Sequence, residues 1–283
     1  MRIFACFVCT SLCAASVEVN PPSIRQGETL RVTAPAAASH ARLGEITVPL
    51  FGGVEGLKQG LMPVPVALKP GTYSLKILDA GGEVIAQVQV PVRDAKYPVQ
   101  DIQLSEPVTQ LRPSSGETEA VNAFRALVTK ERHWEERLSL PVASCMTSLF
   151  GVRRFQNGKD TGNYHGGLDL RAAEGRPVHA TATGNVVISR MFELRGGTVA
   201  IDHGQGLGSM YLHLSKLAAR EGQVVKQGDL IGYAGSTGRS NAPHLHWTLF
   251  VHGVSVSPRQ WVPVASCYAA PVKKPAKRNK RRS

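Results

Sequence analysis

From Cys145 onward glycines interrupt the chain every few residues, and this constrains the fold more than any other feature. The stretches between them, "RPVHATATGNVVISR", "GGTVAIDHG", "GSMYLHLS", "GQVVKQGDLIGYAG" and "HLHWTLFVHG", are short and largely alternate apolar with polar side chains. Successive side chains of a strand face opposite ways. Glycine costs a helix about 1 kcal/mol relative to alanine, and tight reversals use its freedom at positive φ. A helical bundle is therefore excluded here. The pattern predicts an antiparallel β domain over residues 145–267, its last strand ending near Val262.

Alternation without the glycine density marks residues 17–98 as a second β domain. "KPG" and "AGG" supply its turns, and the spacing suggests an immunoglobulin-like β-sandwich. It holds no cluster of polar residues suited to chemistry, so a spacer or packing role is expected. Residues 99–144 read as a linker. Within it, Ser114-Ser115-Gly116-Glu117 offers a capping box. Val121, Phe124, Leu127 or Val128, and Leu138 then fall near helical spacing, which predicts one helix over 117–137 that packs between the domains. The fold class is thus mainly β, with two β domains joined by a helical linker.

The two ends of the chain have different character. Residues 1–16 read as a signal peptide: Arg2, then a mostly apolar run from Ile3 to about Ala15, then small residues up to a cleavage point near Ser16. No other stretch approaches the roughly 20 apolar residues that span a bilayer, so a soluble mature protein is expected, in the periplasm or cell envelope or secreted. Cleavage removes Cys6, Cys9 and Cys13. Cys145 and Cys267 remain, each closing the pentapeptide "PVASC", and they bracket 121 residues. An even count in an exported chain suggests a disulfide that ties the ends of one domain together; two separate buried thiols are the alternative. The tail, 268–283, carries Lys273, Lys274, Lys277, Arg278, Lys280, Arg281 and Arg282. With these seven and Arg2 set aside, the formal charge of +12 falls to +4. The excess therefore belongs to a solvated, disordered end, with an anionic envelope polymer or membrane surface as its expected partner. Nucleic acid does not fit an exported chain.

Histidine is unevenly placed. Only His40 and His133 lie outside the last domain, which holds His165, His179, His203, His213, His244, His246 and His252. In "HLHW", His244 and His246 are two apart. On a strand they share one face, opposite Leu245 and Trp247, which suits one metal ligand and one residue acting beside it. In "HGGLD", His165 precedes Asp169 by four; Gly166 and Gly167 argue against a helix but let a turn bring both side chains together. With His246 the set is two histidines and one carboxylate, a composition known for hydrolytic zinc. Alternation puts Tyr211 and His213 on a common face. His179, His203 and His252 have no partner in the sequence and read as structural.

With these residues in view, "NYHGGLDLRAAEGRPVHATATGNVV", "GGTVAIDHGQGLGSMYLHLS" and "VVKQGDLIGYAGSTGRSNAPHLHWTL" resemble the LytM/lysostaphin-type zinc metallopeptidases, bacterial enzymes that cut peptide bonds in peptidoglycan. The resemblance covers roughly residues 146–262 and includes, in order, H-x-G-x-D, an isolated histidine after "YL", and H-x-H. It implies one zinc per chain held by His165, Asp169 and His246, with His213 and His244 as catalytic histidines. The fold it implies is an antiparallel β domain with a groove above a central sheet, the duplicated hybrid motif. Asn241-Ala242 stands where the family often has Thr-Gly. Some members use a tyrosine near the metal, for which Tyr164 and Tyr211 are the candidates here.

The implied activity is zinc-dependent endopeptidase cleavage of peptidoglycan cross-links during wall remodelling or lysis. His244 is expected to act as base and His213 to stabilise the transition state. The sequence lacks H-E-x-x-H, so no helical glutamate is in place to serve as base. Loops 191–197 and 234–242 are the expected groove walls, and Arg153 or Arg154 the expected grip on a substrate carboxylate. Two other readings stand beside this one. The domain could be a catalytically silent wall-binding module that activates another hydrolase, or the N-terminal domain or the helix could cover the groove as a latency device.

Overall fold

In the computed structural model, residues 17–135 and 137–268 are described, and residues 1–16, expected as a signal peptide, and the basic residues of the tail lie outside them. The N-terminal part builds two sheets. Glu18–Asn20, Thr29–Ala34, Lys58–Pro63 and Phe51–Gly52 form one, in that order; Ile24–Arg25, Val84–Arg93, Gly71–Leu78, His40–Leu43 and Ile46–Pro49 form the other. Leu30, Val32 and Met62 from the first sheet pack with Ala41, Leu75, Ile77 and Val90 from the second in one core, as period-2 alternation requires.

The C-terminal part is built on an eight-stranded antiparallel sheet. Its order runs Met146–Ser148, Leu168–Arg171, His244–Val251, Leu207–Leu214, Gly196–Gly204, Gly184–Phe192, Val224–Val225, with Val254–Val256 added beside His244–Val251. Register across the centre sets everything that follows. Leu168 pairs with Trp247 and Asp169 with His246; Tyr211 pairs with Trp247 and Leu212 with His246. Directly opposed residues share a face, so Leu168, Trp247 and Tyr211 form one side, all fully buried, while Asp169, His246 and Leu212 occupy the other. Fully burying side chains of this size stabilises by about 1.5–3 kcal/mol each. The "HLHW" strand is therefore pinned, because a one-residue slip would expose Trp247 and bury His246.

Cys145 and Cys267 are bonded, with Cα atoms 5.0 Å apart. The bond closes the domain where the Met146 N–H donates to the Ala265 carbonyl at 2.8 Å and the Cys267 N–H to the Met146 carbonyl at 2.9 Å. A loop of this length stabilises by up to about 4–5 kcal/mol through the unfolded chain. The double variant Cys145→Ser/Cys267→Ser should show a clearly lower urea midpoint with its β-sheet circular dichroism intact; an unchanged midpoint refutes the tether.

The linker departs from expectation in two ways. Its helix spans Glu117–Ala126 rather than 117–137, preceded by a short helix at Glu106–Gln110. Leu127 is already extended, and the segment after it lies along the Gly196–Gly204 strand. There the Gln205 N–H donates to the Thr129 carbonyl and the His133 N–H to the His203 carbonyl, both at 2.9 Å. Those bonds take the backbone groups that a longer helix would have used internally, so tertiary pairing overrides helical spacing. Second, Val99–Ile102 is a strand, paired in parallel with Arg153–Gln156, which brings the linker to the rim of the groove. The Asn157 side chain then holds Leu104 at both its N–H (2.8 Å) and its carbonyl (3.0 Å).

Candidate active site

The groove face of the sheet gathers all five predicted site residues. His165 Nε2, Asp169 Oδ1 and His246 Nδ1 form a near-equilateral triangle with sides of 3.0, 3.0 and 2.9 Å. Asp169 and His246 are there because their strands put them opposite each other. His165 arrives from the turn before, and Gly167 makes that turn possible: a Cβ there would stand 2.5 Å from the Trp247 carbonyl and 2.8 Å from His246 Nε2.

Each imidazole is oriented from behind. His165 Nδ1–H donates to the Leu149 carbonyl at 2.6 Å, which leaves the Nε2 lone pair aimed at the triangle. His246 Nε2 lies 3.0 Å from Thr248 Oγ1, leaving Nδ1 to face inward. Outer partners of this kind fix the tautomer and the ring plane of metal-ligating histidines. Burial alone would raise the Asp169 carboxyl, but the charges and hydrogen bonds of His165 and His246 hold it well below the usual carboxylate range. Arg154 Nη2 donates to Asp169 Oδ2 at 2.8 Å, so the second carboxylate oxygen is held as well. Three converging donors of this chemistry form a group that could hold a metal ion. Donor atoms bound at about 2.0–2.2 Å to a single zinc lie a little over 3 Å apart in tetrahedral geometry, close to the spacing found.

His213 and His244 flank the triangle, with ring centroids 4.9 Å apart, and His213 is 6.1 Å from His246. His244 Nδ1–H donates to the Ala242 carbonyl at 2.8 Å, and its Nε2 stands 3.7 Å from Asp169 Oδ1. His213 Nδ1–H donates to the Thr237 carbonyl at 2.8 Å. Burial first, then the neighbouring His244 and His246, push the His213 imidazole down to about 3, so it is neutral with Nε2 as an acceptor.

Tyr211 and His213 do not share a face. His213 has φ +63°, a left-handed backbone at the end of its strand that turns the ring out of the alternation and over the groove. Tyr211 stays in the core, its hydroxyl accepting the Thr181 N–H at 2.8 Å and the Ser209 hydroxyl at 3.0 Å, and so is no metal-side tyrosine. Tyr164 is exposed and borders the groove. Neither Arg153 nor Arg154 is available to a substrate in the expected way: Arg153 pairs with Asp160 and Arg154 with Asp169. His203 is fully buried between the Thr183 carbonyl and Ser209 Oγ, a structural arrangement.

Two adjoining cavities of about 450 and 510 Å3 open on this face, and Ile102, Leu104, Arg154, His213, Arg239 and His246 border both. The loops expected as walls are present, Leu194 and Arg195 on one side and Arg239 to Ala242 on the other. Sequence reasoning missed the linker's part in the rim. It also missed Thr248, although that residue is two beyond His246 on the same strand and alternation could have found it. The Leu149, Thr237 and Ala242 carbonyls leave no trace in residue type.

Residues 163–258 match the family model described as Peptidase family M23. This segment is similar to the M23 peptidases. The match begins just before His165 and ends beyond His246, so it encloses the triangle and both flanking histidines. Over 103 residues the chain is 41% identical to the peptidoglycan DD-endopeptidase ShyA of Vibrio cholerae, covering 36% of this chain and 24% of that protein. Over 98 residues it is 40% identical to the DD-carboxypeptidase/endopeptidase Mpg of Neisseria meningitidis, covering 35% and 23%. The match thus spans about a quarter of the length of these curated relatives. A crystal structure of a candidate peptidase M23 from Pseudomonas aeruginosa superposes with a TM-score of 0.63 at 24% identity, covering 86% of this chain and 95% of that one. The fold outside residues 163–258 therefore has a counterpart too.

Proposed function

We propose that the chain is a zinc-dependent endopeptidase that hydrolyses peptide cross-links of bacterial peptidoglycan, acting in the cell envelope. The observation that carries this reading is the convergence of His165 Nε2, Asp169 Oδ1 and His246 Nδ1 within 3.0 Å, with two further histidines beside them. In this reading His165, Asp169 and His246 hold one zinc, which supplies Lewis-acid polarisation of the scissile carbonyl. The chain's own residues do the rest. His244 takes a proton from the attacking water at Nε2 and returns it to the leaving amine. His213 offers its neutral Nε2 to orient the reacting groups around the transition state. Arg154 keeps the Asp169 carboxylate in place.

The wall as substrate is supported by the relatives named as peptidoglycan DD-endopeptidases, which puts the D,D cross-link first among candidate bonds. A silent wall-binding module would be expected to lack a ligand or a flanking histidine, and this chain lacks none. Residues 17–98 then serve as a packing module, and the basic tail as a contact to anionic envelope polymer or membrane surface. Among the described residues no helix is long and apolar enough to cross a membrane.

Defined cross-linked muropeptides should be digested with zinc-loaded protein and the products weighed by mass spectrometry. The expected result is conversion of dimers to monomers, lost on chelation and restored by zinc. Protein that carries one zinc per chain and cuts no muropeptide rules out the enzyme.

A further inference from the structure

Six arginines border or approach the groove. Four are engaged, Arg125 among them through Nε to the Gly253 carbonyl at 2.8 Å, and Arg171 is exposed and borders only one of the two cavities. Arg154 pairs with Asp169 at 2.8 Å and Arg195 with Glu117 at 2.8 Å. Arg112 Nη1 donates to the Thr109, Gln110 and Leu111 carbonyls at 3.1–3.2 Å. Arg239 is different. Its backbone N–H donates to the Leu194 carbonyl at 2.9 Å, but its guanidinium has neither an ion pair nor a hydrogen bond among the described residues. It nevertheless borders both cavities beside His213 and His246. Partial burial, then the charges of Arg195, Arg154 and Arg112, work against its positive charge.

An unpaired arginine at a loop tip is ordinarily a solvated surface group. The base of this one is locked. Thr237 Oγ1 accepts the Gly197 N–H at 2.9 Å and donates to the Leu214 carbonyl at 2.7 Å. Gly238, at φ +71°, packs its Cα against the backbone of Arg195 and Gly196 with no room for a Cβ. The loop therefore presents Arg239 from a fixed position, and a planar guanidinium so placed is suited to a carboxylate.

We propose that Arg239 is a specificity-determining residue that binds a free carboxylate of the substrate peptide close to the scissile bond, so that the groove selects carboxylate-bearing stems over neutral bridges. This rests on the peptidase reading above. It replaces Arg153 and Arg154, whose charges are already paired, as the substrate grip.

The test uses full-length zinc-loaded protein and two cross-linked dimers that differ only in whether the stem carboxylates are free or amidated. It also measures equilibrium binding of the matching uncleaved stem peptides. Wild type should favour the free-carboxylate dimer by about 10–100-fold in kcat/KM, the size of a charge-assisted hydrogen bond, mostly through KM. Arg239→Ala should bring the free-carboxylate dimer down to the amidated one's level, and Arg239→Lys should keep part of the preference, with zinc content and melting temperature unchanged in both. Equal losses on the two dimers, or an undiminished preference in Arg239→Ala, overturn the proposal. If wild type cuts neither dimer, the peptidase reading fails and the binding assay decides Arg239 alone. A carboxylate preference lost in Arg239→Ala sustains the proposal, and no preference in wild type overturns it.

Discussion

His246→Ala should abolish both metal binding and hydrolysis. Zinc per chain should fall from one to background, and the rate by on the order of a thousandfold or more, about 4 kcal/mol of barrier. The reason lies in the register. His246 is directly opposed to Asp169 and provides two of the triangle's three sides, so without it His165 and Asp169 remain as a pair, too few for a closed or a catalytic zinc site. The fold should survive. Leu245 and Trp247, which anchor the strand, face the other side and are fully buried. Burial pushes the His246 pKa down to about 4, so the ring is neutral at pH 7, and its loss leaves Asp169 still paired with Arg154; the metal-free variant should therefore still unfold in one cooperative transition. Elemental analysis, muropeptide digestion and calorimetry on the two metal-free proteins check the three parts. Retention of stoichiometric zinc would remove His246 from the ligand set.

Much of this site was legible because strands are simple. Period-2 alternation alone put His244 and His246 on one face and Trp247 on the other, and the structure places them so. Excluding a helix left a turn that could bring His165 and Asp169 together across two glycines, and their place in one ligand set is what the resemblance implied. The failures share a cause: each turned on backbone geometry that depends on distant partners. The same alternation misplaced His213, because a left-handed backbone at a strand end turns that residue's own side chain to the other side, and histidine gives no warning of positive φ. The helix was drawn 11 residues too long, since apolar spacing through Leu138 says nothing about the strand edge that claims Thr129 and His133. Arg154 has the residue type of a substrate grip and the position of a support for Asp169, and only the distance to Oδ2 separates the two. Arg239 had no signal at all, because an unpaired charge is recognised only once every neighbour has been placed.

His213 and His244 should separate from His246 in a double readout. His244→Ala and His213→Ala should each keep zinc near one per chain and lose about 10²–10⁴-fold in kcat, the first through a lost proton-transfer group and the second through lost orientation of the reacting groups. Loss of zinc in either variant would move that residue into the ligand set. A second comparison tests how His213 reaches the groove. A non-glycine residue at φ +63° carries backbone strain of roughly 1–3 kcal/mol, which His213→Ala keeps and His213→Gly releases. In an ordinary strand glycine is less stable than alanine by about 0.5–1 kcal/mol. Here the order should reverse, with the Gly variant at least as stable as the Ala variant in denaturant unfolding, while both are equally inactive. If His213→Gly proves the less stable by the usual strand margin, position 213 is unstrained. The turn that carries its ring over the His165–Asp169–His246 triangle would then have to be held by the Thr237 contact alone.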